Sequence, residues 1–146
     1  MSREYPERPI IGVGAVLIDG DQVLLVKRGN EPLKGEWSLP GGALELGETL
    51  EDGIRREVLE ETGLIIEPVS VVEVLDHISR DAEAHVQYHY VLVDYLCRVV
   101  GGALMCASDA ADARWGTLED LGPIALITAQ VIRKAFRIAA LSPVQG

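Results

Sequence analysis

Glu57, Glu60 and Glu61 crowd into the segment Arg55-Arg56-Glu57-Val58-Leu59-Glu60-Glu61. Carboxylate oxygens at this density are hard, anionic donors of the kind that hold Mg²⁺ or Mn²⁺. On a helix turning about 100° per residue, Leu50, Ile54 and Val58 form the stripe that should face a core. Glu57 and Glu61 fall along that same stripe, and Glu60 lies at its edge beside Gly53. The side that ought to be solvated holds Asp52, Arg55 and Arg56, with Leu59 an apolar exception. Two local effects oppose this placement. Glu57 and Glu61 are like charges at i,i+4, which costs a few tenths of a kcal/mol, and all three acids sit in the final turns, where the helix dipole disfavours anions. Something must compensate them. A bound cation would do so; so would ion pairs, for which Arg56 is available to Glu60 at i,i+4.

The flanking residues delimit the helix. Thr49 is an N-cap with Asp52 three residues on, and Gly63 a C-terminal stop, which predicts a helix over 50–62. Directly before it, Leu39-Pro40-Gly41-Gly42 offers a glycine pair that either makes a tight turn or bulge or opens backbone groups to close approach by a ligand. Upstream, apolar runs over 10–18 and 23–26 flank Asp19-Gly20-Asp21 and predict a hairpin. Residues 29–35 are dense in breakers and 37–39 form a short extended piece. Downstream, long strands are expected over 64–75 and 86–100, separated by a polar segment, 76–85, and a smaller strand over 113–117. After Gly122, Pro123 suits a first helical turn, with Ile124, Ile127, Val131, Ala135 and Ile138 as the apolar face of a C-terminal helix. Strands outnumber helices without regular alternation, which predicts an α/β fold with a mixed sheet and a helix on each face.

The chain of 146 residues fits one domain able to bury a core unaided. Its net charge of −10 repels nucleic-acid polymers and acidic membranes. A small phosphorylated substrate is compatible only if cations neutralise the site locally. Residues 1–9 contain no apolar signal-like region and no apolar run reaches membrane-spanning length, so a cytoplasmic protein is expected. Cys97 and Cys106 match no zinc spacing and read as free thiols.

Gly42, five residues to Glu48, seven more to Arg56-Glu57-Val58, then Glu60-Glu61 and Gly63-Leu64 together reproduce the signature of the Nudix family over residues 42–64. Lys27-Arg28, Trp37-Ser38-Leu39-Pro40 and Ala113-Arg114-Trp115 also look like MutT-type and ADP-ribose-pyrophosphatase-like members. The resemblance implies an α/β/α sandwich with a mixed β-sheet. It implies that Glu57, Glu60 and Glu61, with the Gly41 carbonyl, bind Mg²⁺ or Mn²⁺, and that Arg56 and Glu48 orient Glu57 and the loop. Gly53 departs from the family's usual Ala and should weaken the helix by up to about 1 kcal/mol. Candidates for the general base are Glu57, Glu60, Asp109 and Asp112, the two aspartates being otherwise turn and cap residues. Arg28 is a candidate phosphate contact or a solvated strand end. Gly42 leaves backbone open to the substrate, and Trp37 either packs under the glycine loop or stacks on a base. His77, Arg80, His85 and His89 flank the loop between the long strands, where a base or second sugar could be read, or else simply keep that surface polar.

The activity so implied is metal-assisted cleavage of the pyrophosphate link of a nucleoside diphosphate derivative, such as ADP-ribose or a nucleotide sugar. Rival readings are a (d)NTP house-cleaning pyrophosphatase, a non-catalytic nucleotide-sensing module, which the intact set of box glutamates disfavours, and an isoprenoid diphosphate isomerase, which the short chain disfavours. The resemblance also leaves a homodimer open, since dimerisation is common in the ADP-ribose branch, and the apolar N-terminal strands could serve it.

Overall fold

The computed structural model describes residues 3–29, 34–105 and 110–141. The expected hairpin forms from β1 (Ile10–Asp19) and β2 (Gln22–Arg28), which pair antiparallel with Ile18 opposite Val23. Gly20, at φ +63°, supplies the left-handed residue the turn needs. β3 (Trp37–Ser38) and β4 (Gly41–Ala43) follow, then α1 (Leu50–Thr62), β5 (Leu64–Arg80), β6 (Val86–Gly102), β7 (Ala110–Thr117) and α2 (Leu126–Leu141). The strands form one mixed sheet in the order β3-β2-β1-β6-β5, with β4 also on β1 and β7 also on β2. β1 runs parallel to β6, and the remaining pairings are antiparallel.

β1 explains why its stretch is apolar almost throughout rather than alternating. Val13, Ala15 and Leu17 enter a core cluster with Ile54 and Val58 of α1, whereas Val16 enters a second cluster with Ala129, Val131, Ile132 and Ala135 of α2. Both faces of the strand are covered, so both must be apolar. The result is the expected α/β/α sandwich. β1 and β2 are each paired on both sides, and the ordered path ends in β3 on one side and β5 on the other. Among the described residues, no helix is long and apolar enough to cross a membrane.

α1 has the predicted ends. Thr49 Oγ1 accepts from the Asp52 N–H at 3.1 Å, and Gly63, at φ +78°, donates its N–H to Leu59 O at 2.9 Å. The outward strands are longer than their sequence pattern suggests. β5 runs through Asp76 and His77 to Arg80, so the first half of the segment expected to be a polar loop is strand. Its exposure alternates as on a strand with one face open, and that face carries Ile65, Val69, Val71, Val74 and Ile78 together with Glu67, Asp76 and Arg80. The turn itself is short, and Asp81 Oδ1 accepts from the N–H groups of Glu83 and His85 at 2.9 Å each. α2 starts at Leu126, not at Pro123; Ile124 instead bridges to Trp37, and Ile127 is half exposed.

Candidate active site

The site is built where β4 passes the C-terminal half of α1. β4 pairs with β1 so that Gly42 faces Val13 and Gly41 faces Gly14. Gly42 has no side chain because the Glu57 carboxylate occupies that place: a Cβ there would collide with Glu57 Cδ and both carboxylate oxygens. Gly53 makes room in the same way a helical turn earlier, since a Cβ would meet Leu44 Cδ1 at 2.6 Å and Glu48 Oε1 at 3.1 Å. The helix-weakening glycine is thus what admits Glu48 against α1.

Arg56 organises the acids. Its Nε donates to Glu48 Oε2 at 2.6 Å and its Nη2 to Glu48 Oε1 at 2.8 Å, a bidentate pair, while Nη2 also reaches Ala43 O at 3.1 Å. Its Nη1 donates to Glu57 Oε1 at 2.9 Å and Glu60 Oε2 at 3.3 Å. The hydrogen bonds from Arg56, with one from the Glu45 N–H, hold the Glu48 carboxyl down to about 2. Arg56 itself is pushed upward, chiefly by Glu48. Glu57 moves the other way: burial raises its pKa, although Arg56 opposes the shift. The side chain of Glu57 is 14% exposed and that of Glu60 is 53% exposed, so the two carboxylates reach the site from different depths. Glu61 Oε2 accepts from the Gly41 N–H at 3.3 Å, which ties the glycine turn to the helix end.

Among the described residues no three acids, histidines or cysteines converge as a finished metal cage. Arg56 spans two of the three carboxylates, and Gly41 engages the third. The donor set still suits a hard divalent cation. It consists of carboxylates beside an open backbone turn, and Glu57 carries a desolvated charge that a cation would stabilise.

A cavity of about 190 Å³ lies beside this array. Gly41, Gly42 and Arg28 line it, as do Gly12 and Gly14 of β1. Arg28 is therefore placed where a phosphate contact is possible. Of the histidines, His77 lines the cavity, with its ring 6.3 Å from that of Tyr90. His89 is not among the lining residues; it lies one position before Tyr90 in β6 and pairs with Ile78. Trp37 is not among them either. It packs on the α2 cluster, with the Arg114 guanidinium 5.2 Å from its ring centroid. Asp112 is exposed, caps the next residue by accepting from the Ala113 N–H at 2.8 Å, and is absent from the lining. Asp109 and Cys106 lie outside the described residues. Cys97 is buried, its thiol pushed up to about 12 by desolvation, and is an inert core residue.

The NUDIX domain family model matches residues 8–136. The chain belongs to the Nudix family. An ADP-ribose pyrophosphatase of Methanocaldococcus jannaschii is 35% identical over 129 residues, covering 88% of this chain and 74% of that protein. Among solved structures, a MutT NUDIX hydrolase from Burkholderia pseudomallei superposes with a TM-score of 0.77 at 30% identity, over 88% of this chain and 98% of that one. The NUDIX domain of Shewanella oneidensis NrtR, solved with ADP ribose, gives 0.71 at 30% identity, over 91% of this chain and 90% of that one. This Nudix protein is a pyrophosphohydrolase, and its family is divalent-metal dependent.

Among the cavity residues that the sequence did not single out are the polar Arg3, Tyr90, Asp94 and Thr128. Only Asp94 left a trace there, as the single charge within the apolar run Val91-Leu92-Val93-Asp94-Tyr95-Leu96.

Proposed function

We propose that this Nudix hydrolase cleaves the pyrophosphate link of ADP-ribose or a related nucleotide sugar, using Mg²⁺ or Mn²⁺. The observation that carries the reading is the Glu48–Arg56–Glu57 array, seated on Gly42 at the rim of a cavity that combines two arginines with an aromatic pair. Arg3 and Arg28 suit the charge of a diphosphate, and His77 and Tyr90 suit the planar or sugar groups it carries. The Methanocaldococcus jannaschii relative and the NrtR domain, one named for ADP-ribose cleavage and the other solved with that molecule, support the choice of substrate.

Glu57, Glu60 and Glu61, with the Gly41 carbonyl, would hold the cation. When bound, it neutralises phosphate oxygens and lowers the pKa of a water. The chain's own residues supply position and proton transfer. Arg56 fixes Glu57 and Glu60 in one orientation, and Glu48, kept ionised by Arg56, prevents the guanidinium from swinging away. The Gly41 N–H draws Glu61 toward the turn. Glu57, seated against Gly42, and Glu60, held by the same Arg56 guanidinium, are the proton acceptors assigned here, whereas Asp112 caps its own strand.

The test is a panel of ADP-ribose, dinucleotides, nucleotide sugars and (d)NTPs incubated with Mg²⁺ or Mn²⁺, with AMP and phosphate release measured. ADP-ribose or a nucleotide sugar should be cleaved with the highest kcat/KM. A (d)NTP as best substrate would replace this reading with that of a house-cleaning pyrophosphatase, and no turnover on any member would refute it.

A further inference from the structure

Asp94 lies in β6 between two neighbours in register, Gly14 on β1 and Glu73 on β5. Its side chain folds over Gly14, where an added Cβ would collide with Asp94 Oδ1. The residue is 7% exposed and lines the cavity. Among the described residues nothing donates a hydrogen bond to its carboxylate, and burial pushes its pKa up to about 6. The acid beside it, Glu73, raises it further and is itself engaged by Lys134 Nζ at 3.0 Å. An unpartnered buried carboxylate opposes folding; an apolar side chain like those of Leu92 and Leu96 on the same strand face would serve packing better. Asp94 is thus explained by what enters the cavity rather than by the core.

The placement limits what that can be. β4, β1 and β6 are adjacent, so Gly41, Gly14 and Asp94 lie side by side, and Asp94 is two strand spacings, about 10 Å, from Gly41. Gly12 and Gly14 carry no side chains of their own, and the places their Cβ atoms would take are filled by Leu92 Cδ2 and Asp94 Oδ1, which therefore form the cavity floor over β1. A diphosphate held at Gly41 and Gly42 therefore directs the group it carries across this floor to Asp94, a step that rests on the function proposed above. An ionised carboxylate is acceptor-only, with two oxygens side by side, and it repels phosphate.

We propose that Asp94 is a specificity-determining residue whose carboxylate receives two adjacent hydrogen-bond donors from the nucleoside portion of the substrate. Either the 2′,3′-diol of a ribose or the N–H edge of a guanine-type base has this chemistry.

Calorimetric titration of the full chain in EDTA separates binding from hydrolysis. The probes are AMP against 2′-deoxy-AMP for the diol and GMP against IMP, which lacks the exocyclic amine, for the base edge. The wild type should favour the intact member of one pair, which identifies the source. Asp94→Asn, which replaces one acceptor by a donor, and Asp94→Ala should weaken that ligand ten- to a hundredfold and erase the preference. Unfolding temperatures at or above wild type in Asp94→Asn would show that the loss is not one of folding. A preference that survives both variants, equal affinity within both pairs, or no binding of any probe overturns the proposal. Asp94-dependent binding in a protein that leaves ADP-ribose uncleaved would instead refute the substrate reading and leave this one standing.

Discussion

Arg56 grips both carboxylate oxygens of Glu48, Nε to Oε2 at 2.6 Å and Nη2 to Oε1 at 2.8 Å. A lysine cannot reproduce that fork, because its ammonium is a point charge on a flexible stem. Arg56→Lys and Glu48→Gln should therefore each lower kcat ten- to a hundredfold by freeing Glu57 and Glu60, with KM changed much less. Steady-state kinetics on any cleaved substrate reads this, and a kcat within twofold of wild type in both variants would contradict the positioning role.

The same pair sets a pH dependence. Glu48 is held at about 2, below its ordinary 4.5, so its ion pair stabilises the fold fully above pH 4.5 and is lost as pH falls toward 2. The wild type should lose stability across that window, and Glu48→Gln should lose less. Denaturant titrations at pH 3 and pH 6 measure the difference; parallel curves for the two proteins would mean that the pair contributes nothing.

Gly42→Ala should abolish most activity without unfolding the chain. The added Cβ would fall on the Glu57 carboxylate and force it off its seat. Gly42 does not have a positive φ, so alanine brings no backbone strain of its own. A fall in kcat of a hundredfold or more, alongside an unchanged circular dichroism spectrum, is the expected result. Near-normal turnover would mean that Glu57 acts from another position.

What the sequence revealed follows from which forces are local. The limits of α1 were legible because Thr49 and Gly63 act on backbone within a few residues. The glutamate cluster was legible because Glu57 violates the amphipathic pattern of its own helix. Gly53 was read as a weakness, since its benefit, space for Leu44 and Glu48, exists only after the loop folds back. Likewise, Trp37 could be placed only once Arg114 from β7 arrived beside it through the pairing of both strands with β2. The end of β5 was missed because an edge strand can be polar on its solvent side and so look like a loop. Asp94 showed its type in the sequence but not its face, which depends on the register of β6 against β1.

Glu57→Gln and Glu60→Gln should each lower kcat by orders of magnitude, but their effects on stability should differ. Glu57 is the desolvated one, with its charged form disfavoured on balance, so neutralising it should leave the fold as stable or more so at neutral pH. Glu60 is 53% exposed, and its replacement should leave stability close to wild type. Thermal unfolding in EDTA separates these effects from any cation. Destabilisation by Glu57→Gln larger than by Glu60→Gln would show that Arg56 outweighs burial at Glu57. Addition of Mg²⁺ or Mn²⁺ should raise the unfolding temperature of the wild type more than that of either variant.

Asp94 gives the clearest sign for a stability change with pH. Its carboxyl binds a proton more tightly in the fold, at about 6 against an ordinary 3.8, so the native state holds the extra proton between those values. Stability contributed by this group is therefore greatest below pH 3.8 and falls as pH rises through about 6. The full difference corresponds to about 3 kcal/mol at most. Asp94→Asn removes the titrating group and keeps the volume, so it should exceed the wild type in stability at pH 8 and converge with it near pH 4. Urea denaturation across this range tests the point. If Asp94→Asn is less stable than wild type at pH 8, the carboxylate is held by a donor in the folded protein, and its burial then belongs to the core rather than to the cavity.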